Sequence, residues 1–206
     1  MEIMHRKSYA VEPKYYKISN FDDVLHNMKY FFPGNDNVQR AFKKFYSGEI
    51  ERYENNPEIF EKFRKNGSSL EGFWIHKRYG TGYFDSVNKR YTDSFFQFFI
   101  GRNERDGAVA SFEPLEGALL MTQIQGFKKE KEIWSEINYP KFFISYMENF
   151  ARENGIPEIF VLPYFRNRYE EVRKNRHGES RKYDVSAKQL GFEMDWERGV
   201  LFKKLN

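Results

Sequence analysis

The chain of 206 residues contains no cysteine. That absence excludes a disulfide framework, a thiolate nucleophile and any zinc site built on thiolates. It fits a reducing compartment. Histidine is scarce too. His5, His26, His76 and His177 are far apart with no i, i+4 pair, so no metal site is expected. His76 alternates with Trp74 on a predicted strand and reads as a partly buried structural residue. No apolar run approaches the ~20 residues a membrane span needs. The opening Met1-Glu2-Ile3-Met4-His5-Arg6-Lys7 has no apolar stretch behind it and does not read as a secretory signal. No membrane partner is expected, and a cytoplasmic location is the default.

Aromatic residues are abundant, at 19% of the chain with 22 Phe and 14 Tyr. Large rings bury much area each, so a few suffice for a core. Biased codon usage explains the excess more economically than an aromatic binding surface. With 40% hydrophobic and 31% charged residues, the composition is that of a globular protein. The net charge of +4 is local. Residues 164–182 carry Arg166, Arg168, Arg173, Lys174, Arg176, Arg181 and Lys182 against Glu170, Glu171 and Glu179. The rest of the chain is balanced, so this is one basic segment and not a basic protein.

Residues 21–65 read as helices. Asp22-Asp23 precede Val24, Leu25, Met28, Phe31 and Phe32 at helical spacing. Asn37 suits the cap of a second helix, with Val38, Ala41, Phe42 and Phe45 on one face. Pro57 opens a third, ended by Gly67. From Phe73 the pattern changes to strands: Phe73 to Ile75, Ser94 to Ile100, Ala108 to Phe112 and Ala118 to Ile124. Their turn signals are Gly80-Thr81-Gly82, Asn103 to Gly107 and Pro114 to Gly117, which predicts an antiparallel meander. The Gly80-Thr81-Gly82 run lacks a phosphate loop's longer glycine pattern and reads as a hairpin turn. Asn138 then caps a helix with Pro140 in its first turn and Gly155 at its end. The apolar run Ile159-Phe160-Val161-Leu162 suits a buried parallel strand. A last helix places Tyr183, Ala187 and Leu190 on one face, and Val200 to Leu205 form a closing strand. An α/β organisation follows, with residues 1–72 as a helical region packed on a domain of residues 73–206.

Gly117 to Asn206 resembles the GNAT superfamily of N-acyltransferases. The likeness is carried by the strand Ala118 to Gly126, the helix Phe142 to Gly155, the strand Ile159 to Pro163, and Leu190-Gly191-Phe192 before the closing strands. The phrase Ala151-Arg152-Glu153-Asn154-Gly155-Ile156 is similar to that family's helix end before its fifth strand. The resemblance implies a mixed sheet flanked by helices. It also implies acetyl-CoA or another acyl-CoA as cofactor, its pantetheine arm slotted between two splayed parallel strands, and a small-molecule or peptide amine as acceptor. The family's Q/R-x-x-G-x-G/A loop, which holds a pyrophosphate with backbone amides, corresponds to Gln123-Ile124-Gln125-Gly126-Phe127-Lys128. Gln123, Gln125, Gly126 and Lys128 are thereby candidate cofactor residues. Lys128 stands where the pattern has its second small residue. Residues 129–138 separate this loop from the apolar face of the following helix, so they either add helical turns or remodel the site.

Many family members carry a tyrosine four residues before the Gly of the closing Gly-Phe, as acid toward the departing thiolate. That position is Ala187 here, and Tyr183, one turn earlier, is the candidate in its place. Glu113 and Glu116 are candidates for the base. Arg166, Asn167 and Arg168 follow the strand end where such clefts open. Arg166 and Asn167 suit the phosphates of a cofactor. With Tyr164, Phe165 and Tyr169 interleaved, the segment also suits a nucleic-acid backbone. Three functional readings remain open: an acyl-CoA-dependent N-acyltransferase, an inactive domain of that type binding nucleic acid or protein, and a peptidyl or aminoacyl transfer enzyme.

Overall fold

The computed structural model describes residues 32–46, 53–54, 57–79, 84–85, 90–91, 96–103, 105–115, 117–163, 166 and 182–205. The expected helix beginning at Asp22 and the Gly80-Thr81-Gly82 turn lie outside them.

The first described helix, α1, spans Asp36–Tyr46. Its cap is Asn35, whose side-chain carbonyl accepts the Val38 N–H at 3.1 Å. Asn37, the expected cap, is already inside the first turn and accepts from Arg40 instead, at 2.6 Å. A cap must precede the first helical residue to reach its orphan amides. Strand β1, Tyr53–Glu54, interrupts the span expected to be helical. It pairs antiparallel with β2, Phe73–Tyr79, and covers part of what would be an open sheet edge. Helix α2, Pro57–Glu61, is shorter than the pattern that ran to Gly67.

Strands β3 (Phe84–Asp85) and β4 (Arg90–Tyr91) make a separate small pair. Strands β5 (Phe96–Arg102), β6 (Arg105–Leu115) and β7 (Ala118–Gly126) are the expected meander. Its tight turns need left-handed backbone at Asn103 (φ 47°) and Gly117 (φ 68°). After β7 come a 3-10 turn, Lys128–Glu130, the one-turn helix α3, Lys131–Trp134, and the long helix α4, Tyr139–Glu153. Asn138 caps α4, and Pro140 lies in its first turn, as expected. Strand β8 (Glu158–Val161), helix α5 (Lys182–Gln189) and the hairpin of β9 (Glu193–Asp195) and β10 (Val200–Lys204) complete the chain.

The large sheet has the order β1-β2-β5-β6-β7-β8-β10-β9. Among the described residues its single parallel pairing is β7 with β8. One face packs on α4: Phe98, Ile100, Ala110, Phe112, Leu119 and Met121 share one apolar cluster with Phe142, Phe143, Met147 and Phe150. The rings interlock there, with Phe98 stacked on Phe112 at 4.7 Å and edge-on to Tyr146 at 4.9 Å. Described phenylalanines thus supply core packing. The other face carries smaller clusters, Ala118, Leu120, Phe160 and Val200, and Phe99, Val109 and Phe127. A mixed sheet flanked by helices, the expected α/β class, is what the chain forms. Phe32, Val38, Phe60 and Leu70 belong to the same cluster as the sheet and α4.

Candidate functional site

The parallel pair is short. β7 and β8 match from Ala118↔Glu158 to Met121↔Val161, and the Leu162 N–H donates once more to the Met121 carbonyl at 2.9 Å. β7 then runs on through Thr122–Gly126, still paired to β6. No described strand lies on its other side. The strands part at Met121, leaving an open edge of roughly 17 Å at ~3.3 Å per residue.

A bulge on β7 marks the parting. The β6–β7 register steps from Phe112↔Met121 to Ser111↔Gln123, so Thr122 is an extra residue. Such a bulge bends its strand and increases the twist. The Thr122 hydroxyl fixes it by donating to the Ser111 carbonyl at 3.2 Å. On the β8 side the Leu162 N–H makes the last described bond to β7.

Alternation sends Ile124 toward the core and Gln123 and Gln125 to the opposite face. Gln123 is buried, and its amide donates to the Gln125 side chain at 3.1 Å. Ser111 is its cross-strand partner on β6, and Gln97 on β5 is the partner of Ser111. These three buried polar side chains form a row across three strands, and the Ser111 hydroxyl has no hydrogen-bond partner among the described residues. Sequence reading missed this row. Its signal was a Gln between Phe96 and Phe98 and a Ser between Ala110 and Phe112. Glu113 stands half-buried on β6 opposite Leu120, one register step before the parting.

The end of β7 is arranged unlike the expected phosphate loop. A Cβ placed on Gly126 would lie 3.0 Å from three atoms of the Trp134 indole. The space beside the glycine is therefore taken by a tryptophan ring, which its Nε1 anchors to the Phe127 carbonyl at 2.9 Å. The start of α4 is also engaged. The Asn138 N–H donates to the Phe63 carbonyl at 2.7 Å, and the Lys65 N–H to the Glu136 carbonyl at 2.8 Å. Residues 129–138 both add helical turns and remodel the space. Lys128 is exposed.

The remaining candidates are dispersed. Arg166 donates from Nη1 to the Arg198 carbonyl at 2.7 Å and the Gly199 carbonyl at 3.3 Å. It braces the β9–β10 turn, on the side of β8 away from the gap. Tyr183 lies in the first turn of α5, and its side chain is outside the described set. Ala187 is fully buried. Glu116, Asn167 and Arg168 fall outside the described residues. His76 is buried between Trp74 and Phe99, with ring centroids at 4.6 and 4.8 Å. Among the described residues no group of three His, Cys, Asp or Glu is placed to hold a metal, and no helix is long and apolar enough to cross a membrane.

One ionic cluster ties α4 to β10. Lys203 on β10 donates to both Glu148 oxygens at 2.8 and 2.9 Å and to the Leu190 carbonyl at 2.8 Å. Arg152 adds a contact at 2.8 Å. Burial by itself raises the Glu148 pKa, but the hydrogen bonds and charges of Lys203 and Arg152 outweigh it and hold the carboxyl below its ordinary range.

Fold and site together define a class: a mixed α/β sheet whose parallel pair opens at its carboxyl end. No protein-family profile matches the chain, and no curated protein matches it. Among solved structures it is similar to N-acetylglutamate synthase from Neisseria gonorrhoeae, complexed with coenzyme A and N-acetyl-glutamate. The identity is 12% and the TM-score 0.31, over 53% of this chain and 26% of that one. The chain thus spans about a quarter of that protein, and a superposition this loose says nothing about function.

Proposed function

We propose that this protein is an N-acyltransferase that moves an acyl group from an acyl-CoA thioester to a small-molecule or peptide amine. The observation that carries the reading is the parting of β7 and β8 beyond Met121, at the Thr122 bulge. An open strand edge offers regularly spaced backbone groups to an extended amide-containing arm, which pairs with it as a strand would. Carboxyl ends of parallel strands are also where α/β sheets commonly bind ligands.

In the reaction the amine nitrogen attacks the thioester carbonyl, the C–N bond forms and the C–S bond breaks. The amine loses a proton and the departing thiolate gains one. Glu113, one register step from the parting, is our candidate for taking the amine proton. Tyr183 is our candidate for protonating the thiolate. Holding donor and acceptor in contact supplies most of the acceleration in such a transfer. A thermal-shift titration with acetyl-CoA, followed by thiol release with a panel of amines, tests the reading. A rise in Tm that saturates with ligand is expected. No shift at saturating acetyl-CoA and no thiol release would overturn it.

A second reading is favoured by Ala187, fully buried where a catalytic tyrosine would stand. On that reading the domain binds the arm without transferring the acyl group. It predicts a thermal shift with no thiol release. A nucleic-acid role for residues 164–182 gains nothing from Arg166, whose guanidinium braces the β9–β10 turn.

A further inference from the structure

The bulge at Thr122 also decides which face of the sheet Gln123 joins. Phe112 pairs with Met121, and both lie in the cluster that packs on α4. In a regular strand Thr122 would then oppose Ser111. Gln123 would oppose Ala110 and turn into the α4 cluster. The extra residue instead sets Gln123 beside Ser111, on the face away from α4. Its bond to Gln125, at 3.1 Å, holds its amide there.

The row so completed, Gln97, Ser111 and Gln123, runs across β5, β6 and β7. It ends on the stretch of β7 beyond the parting. Its members are 2%, 0% and 7% exposed. Apolar side chains flank it on the same face, Leu120 and Phe160 on one side, Phe99 and Val109 on the other. Among the described residues no buried side chain is a Lys, Arg, Asp or Glu. The Ser111 hydroxyl has no hydrogen-bond partner among the described residues. An orphan buried hydroxyl is a standing cost that a ligand's polar group removes on binding. An ionised group would lose its hydration there and meet no opposite charge, so the row favours an uncharged one. A carboxamide carries both donors and an acceptor, as the row does. Glu113 follows two residues after Ser111 on β6 and shares its face, roughly 7 Å along the strand.

We propose that Gln97, Ser111 and Gln123 bind the non-reacting end of the amine acceptor, and that this end is an uncharged carboxamide. This rests on the acyltransferase reading and deepens it. The acceptor class is a short amino-carboxamide, with its amide on the row and its amine toward Glu113.

The test compares the full chain with Ser111→Ala and Gln97→Met by thiol release from acetyl-CoA. The acceptors are β-alaninamide, β-alanine, which ends in a carboxylate, and n-butylamine, whose end is apolar. Both substitutions lie on β5 and β6, away from the open edge of β7. Acetyl-CoA should therefore raise the Tm of all three proteins alike. The wild type should use β-alaninamide best. Each variant should lower kcat/KM for β-alaninamide about tenfold, mainly through KM, as expected for losing a hydrogen bond made equally in ground and transition states. For n-butylamine the change should stay below about twofold, since no hydrogen bond is lost there. A wild type that prefers β-alanine or n-butylamine overturns the acceptor assignment. Variants that slow all three acceptors equally also overturn it, because the row would then act on the fold. In both cases the acetyl-CoA shift leaves the donor reading standing. A shift with no turnover of any acceptor overturns the assignment as well and leaves the reading in which the domain binds without transfer. No shift and no thiol release sink the acyltransferase reading itself.

Discussion

At the scale of single residues, Gly126 shows how one position serves two different physical demands. In the resembled loop a glycine lets backbone approach a phosphate. Here the missing side chain makes room for Trp134, whose indole would sit 3.0 Å from an added Cβ. Gly126→Ala should therefore cost about 1–3 kcal/mol, the usual range for overpacking a fitted contact. Trp134→Ala should be destabilising by itself, and in its background the Gly126→Ala penalty should largely vanish. Denaturant unfolding of the four proteins in a double-mutant cycle measures the coupling. Additive penalties would mean that the glycine is required for something other than the ring. Glycine identity was legible in the sequence. Its partner was not, because Trp134 lies in a stretch whose composition gave no sign of folding back on the strand.

Between elements, the Glu148 cluster joins α4, β10 and the end of α5: Lys203 and Arg152 make three hydrogen bonds to one carboxylate, and Lys203 also donates to the Leu190 carbonyl. The folded pKa of Glu148 is depressed. Its stabilisation is therefore fully present above the unfolded pKa, about 4.3 for Glu, and is lost as pH falls through the lower folded value. Stability of the wild type should fall through that acid window more steeply than stability of Glu148→Gln. Above about pH 6 the variant should be less stable by about 2 kcal/mol, the scale of charge-assisted hydrogen bonds. Urea midpoints measured across pH give both numbers, and parallel curves would exclude the linkage. Elements of this kind were the legible part of the sequence. The meander, the Asn138 cap, α4 and the parallel strand are all written in period, cap and breaker residues. The bulge at Thr122 was not legible, since a bulge changes register without changing composition. Nor was β1, because two residues of strand have no periodicity to read. The resemblance implied splayed strands, but the bulge that marks where they part was not legible.

For the whole molecule, the question is whether residues 1–72 form a unit apart from the rest. Phe60 on α2 is 2% exposed. It stacks on Phe142 of α4 at 4.7 Å and tilts against Phe73 of β2 at 5.5 Å. Asn35 reaches across to the Asn154 carbonyl at 3.1 Å, at the far end of α4. The described part of the N-terminal region thus holds both ends of the helix that covers the sheet. All three tryptophans, Trp74, Trp134 and Trp196, lie after residue 72, so fluorescence reports on the later residues while far-UV circular dichroism reports on every helix. Phe60→Ala should destabilise by about 3–5 kcal/mol, the range for emptying a buried ring site. If the chain unfolds as one unit, both signals should shift to the same lower midpoint, since coincident transitions are the mark of a single cooperative step. A fluorescence midpoint that stays in place while the dichroism midpoint falls would instead put a boundary at residue 72. The open edge of β7 would then have to be intact in residues 73–206 alone. One shared transition ties it to the N-terminal region, because α4, which packs beneath the parted strands, is held at its start by Phe60 and Phe63.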